Sequence, residues 1–384
     1  LKKFSVIISL VLLFSFAPFC AIQVQAAEAA QIPQPETSAR SAILINADTG
    51  TVIYEKNALE RRAMASTTKI MSVLLTLEAG DLDRQFTADS MAIRIEGSSM
   101  GLREGDIVTR RALCVGMLLP SGNDASQAAA VSVSGSIPEF VKLMNERAQQ
   151  LGLKDTQFKN PSGLDADGHF STAYDLALLT MFAMKNELFA EMTAEQALRV
   201  EFGNPPFGRW LYNNNKLLHM YDGAVGTKTG FTDNARRCLV SAATRNGVTL
   251  IAVTLNAHDD WNDHMKMFDY GFSVVKNQRV DYDLSAFSVE IAGGSKTHAA
   301  VKVSEIPELP LSDEEMRLVE VKTRLMPFIY AGFEAGEQVG LLEFYYNGTL
   351  LKTVPLITAE SCESPAEKLT LAAGLVQVWR RGLF

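Results

Sequence analysis

Apolar and polar positions change rhythm along the chain, and the changes divide it into two blocks between distinctive ends. The first block, residues 38–276, opens with an apolar run, Ala42-Ile43-Leu44-Ile45-Asn46. A turn at Asp48-Thr49-Gly50 follows, then Val52-Ile53-Tyr54, which together predict a β-hairpin. A helical pattern runs from Ser66 through Leu77. Further helical stretches fill roughly 110–200, broken at Pro120-Ser121-Gly122, Pro161-Ser162-Gly163 and Gly203-Asn204-Pro205-Pro206. Strand-like runs return at 225–229, 238–243 and 248–255, and a helix over 260–276 closes the block. Strands at both ends with helices between predict one α+β domain whose sheet joins the two ends of the segment.

The second block, residues 282–360, carries short β-like runs at 287–291, 300–303, 318–321, 339–345 and 350–356. Asn347-Gly348 stands as a hairpin turn between the last two. A small all-β domain without a cluster of catalytic residue types is expected there. No internal repeat or low-complexity tract is present.

At the N-terminus, Lys2 and Lys3 precede an apolar run from Phe4 to Phe19, and small residues follow around Val24-Gln25-Ala26. That order predicts a secretory signal over 1–26. The run is shorter than a spanning helix needs and Pro18 interrupts it. At the other end, residues 365–384 read as an amphipathic helix. Leu369, Leu375, Trp379 and Leu383 fall on its apolar half, and Glu367, Gln377, Arg380 and Arg381 on its polar half. Such a segment suits an interfacial membrane anchor, or else docks on its own protein.

Composition narrows the partners. The chain has 384 residues and a formal net charge of −8, with no basic stripe, so nucleic acid is not expected. After signal removal Cys114, Cys238 and Cys362 remain, an odd and scattered set that is no disulfide framework. Cys114 and Cys238 read as buried small hydrophobes.

Three short strings carry candidate chemistry. In Ser66-Thr67-Thr68-Lys69, positions i and i+3 of a helix share a face, so the Lys69 amine can lie beside the Ser66 hydroxyl. A lysine desolvated among other cations can act as the base that serine needs. The string alone is weak, since Ser273-Val274-Val275-Lys276 repeats it, by chance on our reading. In Ser121-Gly122-Asn123, alternate residues of an extended loop would point Ser121 and Asn123 into one cleft. There a hydroxyl can relay a proton and an amide can hold a carbonyl. The same residues serve equally as a loop with a helix cap at Asn123 or Asp124. In Lys228-Thr229-Gly230, Lys228 and Thr229 offer a cation and a hydroxyl to a substrate carboxylate. Gly230 lets an extended peptide approach the strand edge. The plain alternative is an exposed lysine before a strand-ending glycine.

In this order, Ser-x-x-Lys, Ser-Gly-Asn and Lys-Thr-Gly resemble the signature of penicillin-recognising serine transferases. With Ser-Gly-Asn in the middle, the chain is similar to the low-molecular-mass D-Ala-D-Ala carboxypeptidases, the S11 serine peptidases. Met64 to Met71, Leu118 to Ala125, Met144-Asn145, Leu151-Gly152-Leu153, Asn160 to Asp165, Thr172 to Leu176 and Gly226 to Thr232 all match that family's segments. The match covers essentially the first block, and the β-rich block and amphipathic tail fit the family's layout. The resemblance implies a penicillin-binding transpeptidase/β-lactamase-like catalytic domain, a small β domain and an anchor helix. It implies a peptidoglycan stem peptide as substrate, acylation of Ser66 with Lys69 as base, and β-lactams as acylating mimics. Ser121 and Lys228 would protonate the leaving D-alanine, Asn123, Thr229 and Gly230 would hold the substrate, and the backbone N–H groups of Ser66 and Phe231 would take the oxyanion. No cofactor and no metal are expected. His258, Asp259, Asp263 and His264 stand close together but lack the spacing of a metal site. The implied location is the outer face of the cytoplasmic membrane.

Two departures stand out. Many members have Ala-Gly after the third motif where this chain has Ala235-Arg236-Arg237-Cys238. Some carry Gly-Gly-Arg after a later strand, where Leu255-Asn256-Ala257-His258 stands here. Arg236 is then the candidate substitute for holding the substrate's terminal carboxylate. The competing functions are a DD-endopeptidase or transpeptidase, a β-lactamase, and a silent penicillin-binding wall protein. Against the β-lactamase, the region between the second and third motifs has no Glu-x-x-x-Asn string.

Overall fold

The computed structural model describes residues 33–364; the expected signal (1–26) and amphipathic tail (365–384) lie outside the described residues. The expected hairpin forms from β1 (Ser41–Asn46) and β2 (Val52–Lys56). Chain order continues with α1 (Lys69–Glu78), β3 (Gln85–Thr87), β4 (Ile107–Thr109), α2 (Arg110–Leu118), α3 (Asn123–Ser134) and α4 (Ile137–Gln150). Next come α5 (Ala173–Met184), α6 (Glu187–Ala194), β5 (Ala197–Gly203), β6 (Pro206–Tyr212), α7 (Leu217–Met220), β7 (Ala224–Thr232), β8 (Arg236–Arg245), β9 (Val248–Leu255) and α8 (Asp260–Val274).

The main sheet has the antiparallel order β2-β1-β9-β8-β7, so the first and last strands of the block meet as expected. Its period-2 alternation feeds two cores. Ile43, Ile45, Ile251 and Val253 face a helical layer built around α1, α2, α3 and α5. Ala42, Leu44, Leu250 and Ala252 face Met267 and Phe268 of α8. Every residue of β1 is buried, which is why it reads as a continuous apolar run. Each such Leu or Ile contributes about 1.5–3 kcal/mol by leaving water. α8 lies so close to the sheet that a Cβ at Gly271 would meet Leu250 Cδ1 at 2.6 Å. Several helices start on side-chain caps: Thr109 for α2, Ser136 for α4, Thr172 for α5 and Asn186 for α6.

Some expectations shift. The Gly203-Asn204-Pro205-Pro206 interruption is the turn of the β5–β6 hairpin, which joins β3 and β4 in a four-stranded sheet. The closing helix ends at Val274, and Lys276 begins the strand β10 (Lys276–Arg279), so the second Ser-x-x-Lys string straddles a helix end.

Beyond it come β11 (Ser288–Ala292), β12 (His298–Val303), β13 (Glu308–Leu311), α9 (Asp313–Met316), β14 (Glu320–Leu325), β15 (Phe328–Tyr330), β16 (Gln338–Tyr346) and β17 (Thr349–Thr358). Six of these strands form one sheet ordered β14-β16-β17-β12-β11-β15, and β10 pairs with β13. Asn347 and Gly348 turn β16 into β17 with φ of 47° and 76°, the left-handed pair that the Asn-Gly signal demands. This β-rich part docks on the first hairpin. Asn46 Nδ2 donates to the Pro310 carbonyl at 2.8 Å, and Thr49 Oγ1 to Glu315 Oε1 at 2.8 Å. Among the described residues no helix is long and apolar enough to cross a membrane.

Candidate active site

Ser66 lies in a single 3₁₀ turn, Ala65–Thr68, that runs directly into α1. In a 3₁₀ turn positions i and i+3 eclipse, so the Lys69 side chain is brought over Ser66 more directly than an α-helix would bring it. Lys69 Nζ lies 2.8 Å from Ser66 Oγ. The turn is held by Thr67 Oγ1 donating to Met64 O and Thr68 Oγ1 donating to Ala65 O. Ala65 has φ +47°, an uncommon left-handed conformation without glycine, immediately before the nucleophile.

Lys69 is wholly buried at the head of α1. Its amine has two further neighbours, Asn123 Oδ1 at 2.7 Å and the Ser162 carbonyl at 2.6 Å. Both are acceptors only. A neutral amine can give its two N–H groups to these carbonyls and turn its lone pair to the Ser66 hydroxyl, whereas an ammonium would donate to all three oxygens. Burial, seconded by the positive charge of Lys228, holds its pKa well below the ordinary lysine value, against an opposing pull from Asp124. The site therefore presents a base beside the serine.

The Ser162 carbonyl carried no role in the sequence reading, although Asn160 to Asp165 was recognised as a family segment. Asn160 Oδ1 gathers the N–H groups of Ser162 and Gly163 and the Ser162 hydroxyl, and Ser72 Oγ donates to Pro161 O. Gly163 passes so close to the nucleophile turn that a Cβ would sit 1.9 Å from Ala65 O. His169 was missed as well, since no motif marks it. Its Nδ1 accepts the Lys159 N–H at 2.9 Å, which leaves Nε2 to donate to Thr68 Oγ1 at 2.8 Å. Burial lowers its pKa to about 4, so the ring is neutral and braces the turn from behind.

The second string reaches the cleft by a different geometry from the expected extended loop. Ser121 is left-handed, with φ +64°, and Asn123 is the first residue of α3; Gly122 occupies the N-cap without a side-chain bond. Asn123 Nδ2 donates to Glu96 O, which turns the amide oxygen towards Lys69. Asp124 accepts from Ser99 Oγ and the backbone N–H of Met100, Gly101 and Leu102, shaping the loop whose Gly97 and Ser98 line the cleft.

The third string lies inside β7, which runs two residues past Gly230, so the glycine does not end the strand. Lys228 is buried rather than exposed. Its Nζ donates to Ser121 Oγ at 2.9 Å and to Thr229 O at 2.8 Å, and desolvation lowers its pKa to about 7. Its partners are thus Ser121 and the backbone of its own strand. β7 is the edge strand of the sheet, and Gly230 packs on the nucleophile turn: a Cβ there would stand 3.1 Å from Ser66 N.

These parts enclose a cleft of about 480 Å³ lined by Ser66, Ser121, Asn123, Thr229, Gly230 and the exposed Phe231. Asn214 and Lys216 also line it, beside the Ser121 loop, where Asn214 N donates to Leu119 O. Arg236 does not line this cleft, and the expectation that it holds the terminal carboxylate is corrected: Arg236, left-handed at the start of β8 with φ +59°, lines a neighbouring cavity only, whereas Arg237 lines both. The Arg237 guanidinium pairs with Asp260 and lies 5.4 Å over the Trp261 ring. Cys238 is buried at the cleft wall with its thiol pKa pushed up to about 12 by desolvation, and Cys114 is buried in the core. Asp263 accepts from Ser38 N and Oγ, and His264 Nε2 pairs with Thr254 Oγ1. These contacts account for two of the four residues that suggested a metal.

Comparison with known proteins agrees with this geometry. Residues 26–259 match the family model described as D-alanyl-D-alanine carboxypeptidase, and residues 274–364 match that of the penicillin-binding protein 5 C-terminal domain. The chain is 34% identical over 362 residues to the D-alanyl-D-alanine carboxypeptidase DacF of Bacillus subtilis, covering 91% of this chain and 92% of that one. It is 31% identical over 370 residues to DacC of Escherichia coli, covering 91% and 90%. The crystal structure of a D-alanyl-D-alanine carboxypeptidase from Mycobacterium tuberculosis superposes with a TM-score of 0.61 at 33% identity, over 64% of this chain and 95% of that one. The Streptomyces K15 DD-transpeptidase gives 0.60 at 34% identity, over 63% and 100%. With its three strings gathered on one cleft and this similarity along most of its length, the chain belongs to the D-alanyl-D-alanine carboxypeptidase family of serine peptidases, the low-molecular-mass penicillin-binding proteins.

Proposed function

We propose that the protein removes the terminal D-alanine from peptidoglycan stem peptides through an acyl-enzyme on Ser66. The observation that carries this reading is the buried Lys69 amine, 2.8 Å from Ser66 Oγ, in a setting whose burial favours the neutral form. Lys69 takes the Ser66 proton while Oγ attacks the penultimate carbonyl. The oxyanion is held by the backbone N–H groups of Ser66 and Phe231. The C–N bond then breaks as Ser121, backed by Lys228, passes a proton to the departing amine. Once the proton on Lys69 has replaced the one lost from the Ser121–Lys228 pair, water attacks the ester with Lys69 again as base, the proton returns to Ser66 Oγ, and the shortened peptide leaves. Asn123 orients the substrate, and Thr229 meets the terminal carboxylate, with Lys216 as a further cation in the cleft lining. β-Lactams acylate the same serine because they present a strained amide to it.

The test is D-alanine release by the full chain from an acetylated peptide ending in D-Ala-D-Ala, with covalent labelling by a fluorescent penicillin. Ser66→Ala is expected to lose both. Release or labelling that survives the substitution would remove Ser66 from the mechanism. A second reading, transfer to an acceptor amine or endopeptidase cleavage, draws on the similarity to the Streptomyces K15 DD-transpeptidase and to a D-alanyl-D-alanine endopeptidase of Escherichia coli, 30% identical over 253 residues. A transferred product in the presence of an amine would favour it.

The signal-like run in 1–26 and the amphipathic pattern in 365–384 support export and attachment to the outer face of the cytoplasmic membrane, where the substrate lies.

A further inference from the structure

A second cavity of about 690 Å³ adjoins the catalytic cleft, and the two share Phe231 and Arg237 as lining residues. Besides these, Arg40, Lys56, Arg236 and His258 line it, and its lining includes no carboxylate. Among the described residues Arg40, Lys56 and Arg236 form no ion pair. Lys56 Nζ donates to the Thr37 carbonyl at 2.8 Å, which leaves its charge uncompensated. Of the acids nearby, Asp260 pairs with Arg237, while Asp263 and Asp259 accept from the neutral Ser38 and Asn262 and stand outside the lining. A basin lined by four cations and no carboxylate thus adjoins the catalytic cleft, in a chain whose net charge is −8.

The direction of the substrate follows from the proton path. The leaving nitrogen must lie by Ser121 and Lys228, so the departing residue occupies the Lys228 end of β7, beside Asn214 and Lys216. The acyl half then runs along the free edge of β7 the other way, past Gly230 to Phe231, where the cleft continues into the basin. An extended peptide advances about 3.3 Å per residue, so its next residues upstream reach the end of β7, where Arg236 pairs opposite Thr232 and borders the cavity that Arg40 also lines.

We propose that this basin is a binding subsite for an anionic group on the acyl half of the peptide substrate, a side-chain or free carboxylate two or three residues upstream of the bond cut. The inference rests on the carboxypeptidase reading for the direction of the chain. Arg40 and Arg236 supply the recognition, since Arg237 is neutralised in part by Asp260. The basin selects among peptides that share the same D-Ala-D-Ala end.

The experiment compares Ac-Glu-Ala-D-Ala-D-Ala with its Gln counterpart on the full chain and on R40Q/R236Q. The wild type is expected to show kcat/KM about fivefold higher for the Glu peptide at low salt, the scale of one or two partly exposed ion pairs. That advantage shrinks at high salt. In the double variant the ratio falls to about one; because it is taken within one enzyme, a general loss of activity cancels. Equal rates for the two peptides in the wild type, or a ratio that persists in the variant, overturn the proposal. If the double variant no longer reacts with penicillin, R40Q and R236Q are read singly by the same ratio. If neither peptide releases D-alanine while penicillin still acylates, the carboxypeptidase reading fails. The basin is then judged by fluorescence anisotropy of the two labelled peptides, where equal affinity overturns it.

Discussion

At the scale of single residues the proposed mechanism uses two buried lysines in opposite protonation states. Lys69 has to be neutral to accept the Ser66 proton, and burial together with Lys228 drives its pKa down. Lys228, with a pKa of about 7, has to hold a proton that it can lend through Ser121. The signs follow. Acylation falls at low pH as Lys69 gains a proton, and falls again above about 7 as Lys228 loses one. A pH profile of penicillin acylation should therefore be bell-shaped in the wild type. Lys228→Met, slower throughout, should lack the alkaline limb. A wild-type profile flat from pH 6 to 9 would separate Lys228 from proton transfer.

At the scale of elements, the site depends on two segments pressed together: the 3₁₀ turn before α1 and the 160–165 loop. Gly163 has φ +89°, and a Cβ there would collide with Ala65 O, so Gly163→Ala must shift the loop or the turn and carry the Ser162 carbonyl away from Lys69. A displacement of about 1 Å in such a constellation costs about 100-fold in rate. Gly135→Ala is the control: φ is +78° at the end of α3, yet nothing lies within 4 Å of an added Cβ. Both variants should lose about 1 kcal/mol or more of stability from backbone strain, but only Gly163→Ala should lose acylation. Equal acylation rates for the two would show that the loop does not position Lys69.

At the scale of the whole molecule, the catalytic part and the β-rich part are joined through specific polar contacts. Thr49 on the β1–β2 turn donates to Glu315, whose carboxylate also closes the capping box at the start of α9 with Ser312. The chain therefore continues from a braced catalytic unit, through a docked β-rich one, towards the segment proposed as an anchor. Deleting residues 365–384 should shift the protein from the membrane fraction to the soluble fraction of fractionated cells while penicillin labelling remains. A truncated chain that still sediments with membranes would place the attachment elsewhere.

How much of this was legible beforehand varied with the range of the forces involved. The alternating and continuous apolar runs marked β1, β2, β8 and β9, and Asn347-Gly348 marked the last hairpin, because local sterics and burial act over a few residues. The order and spacing of Ser66-Thr67-Thr68-Lys69, Ser121-Gly122-Asn123 and Lys228-Thr229-Gly230 marked the chemistry. The short strands β3, β4 and β15 were not legible, since three residues carry too little pattern to be told from loop. Nor were the Ser162 carbonyl, His169, or the choice of Arg237 over Arg236 for the cleft. A backbone carbonyl has no side-chain signal. The brace behind Thr68 comes from a residue about a hundred positions away. Which of two adjacent arginines reaches the cleft depends on how the start of β8 is turned, and its pairing with the end of β7 decides that. By itself the sequence singled out the candidate groups and the kind of fold. Only the tertiary structure decided which lysine is stripped of water, which carbonyls neutralise its hydrogens and where the cation-lined basin opens, because desolvation and charge proximity are properties of neighbours in space.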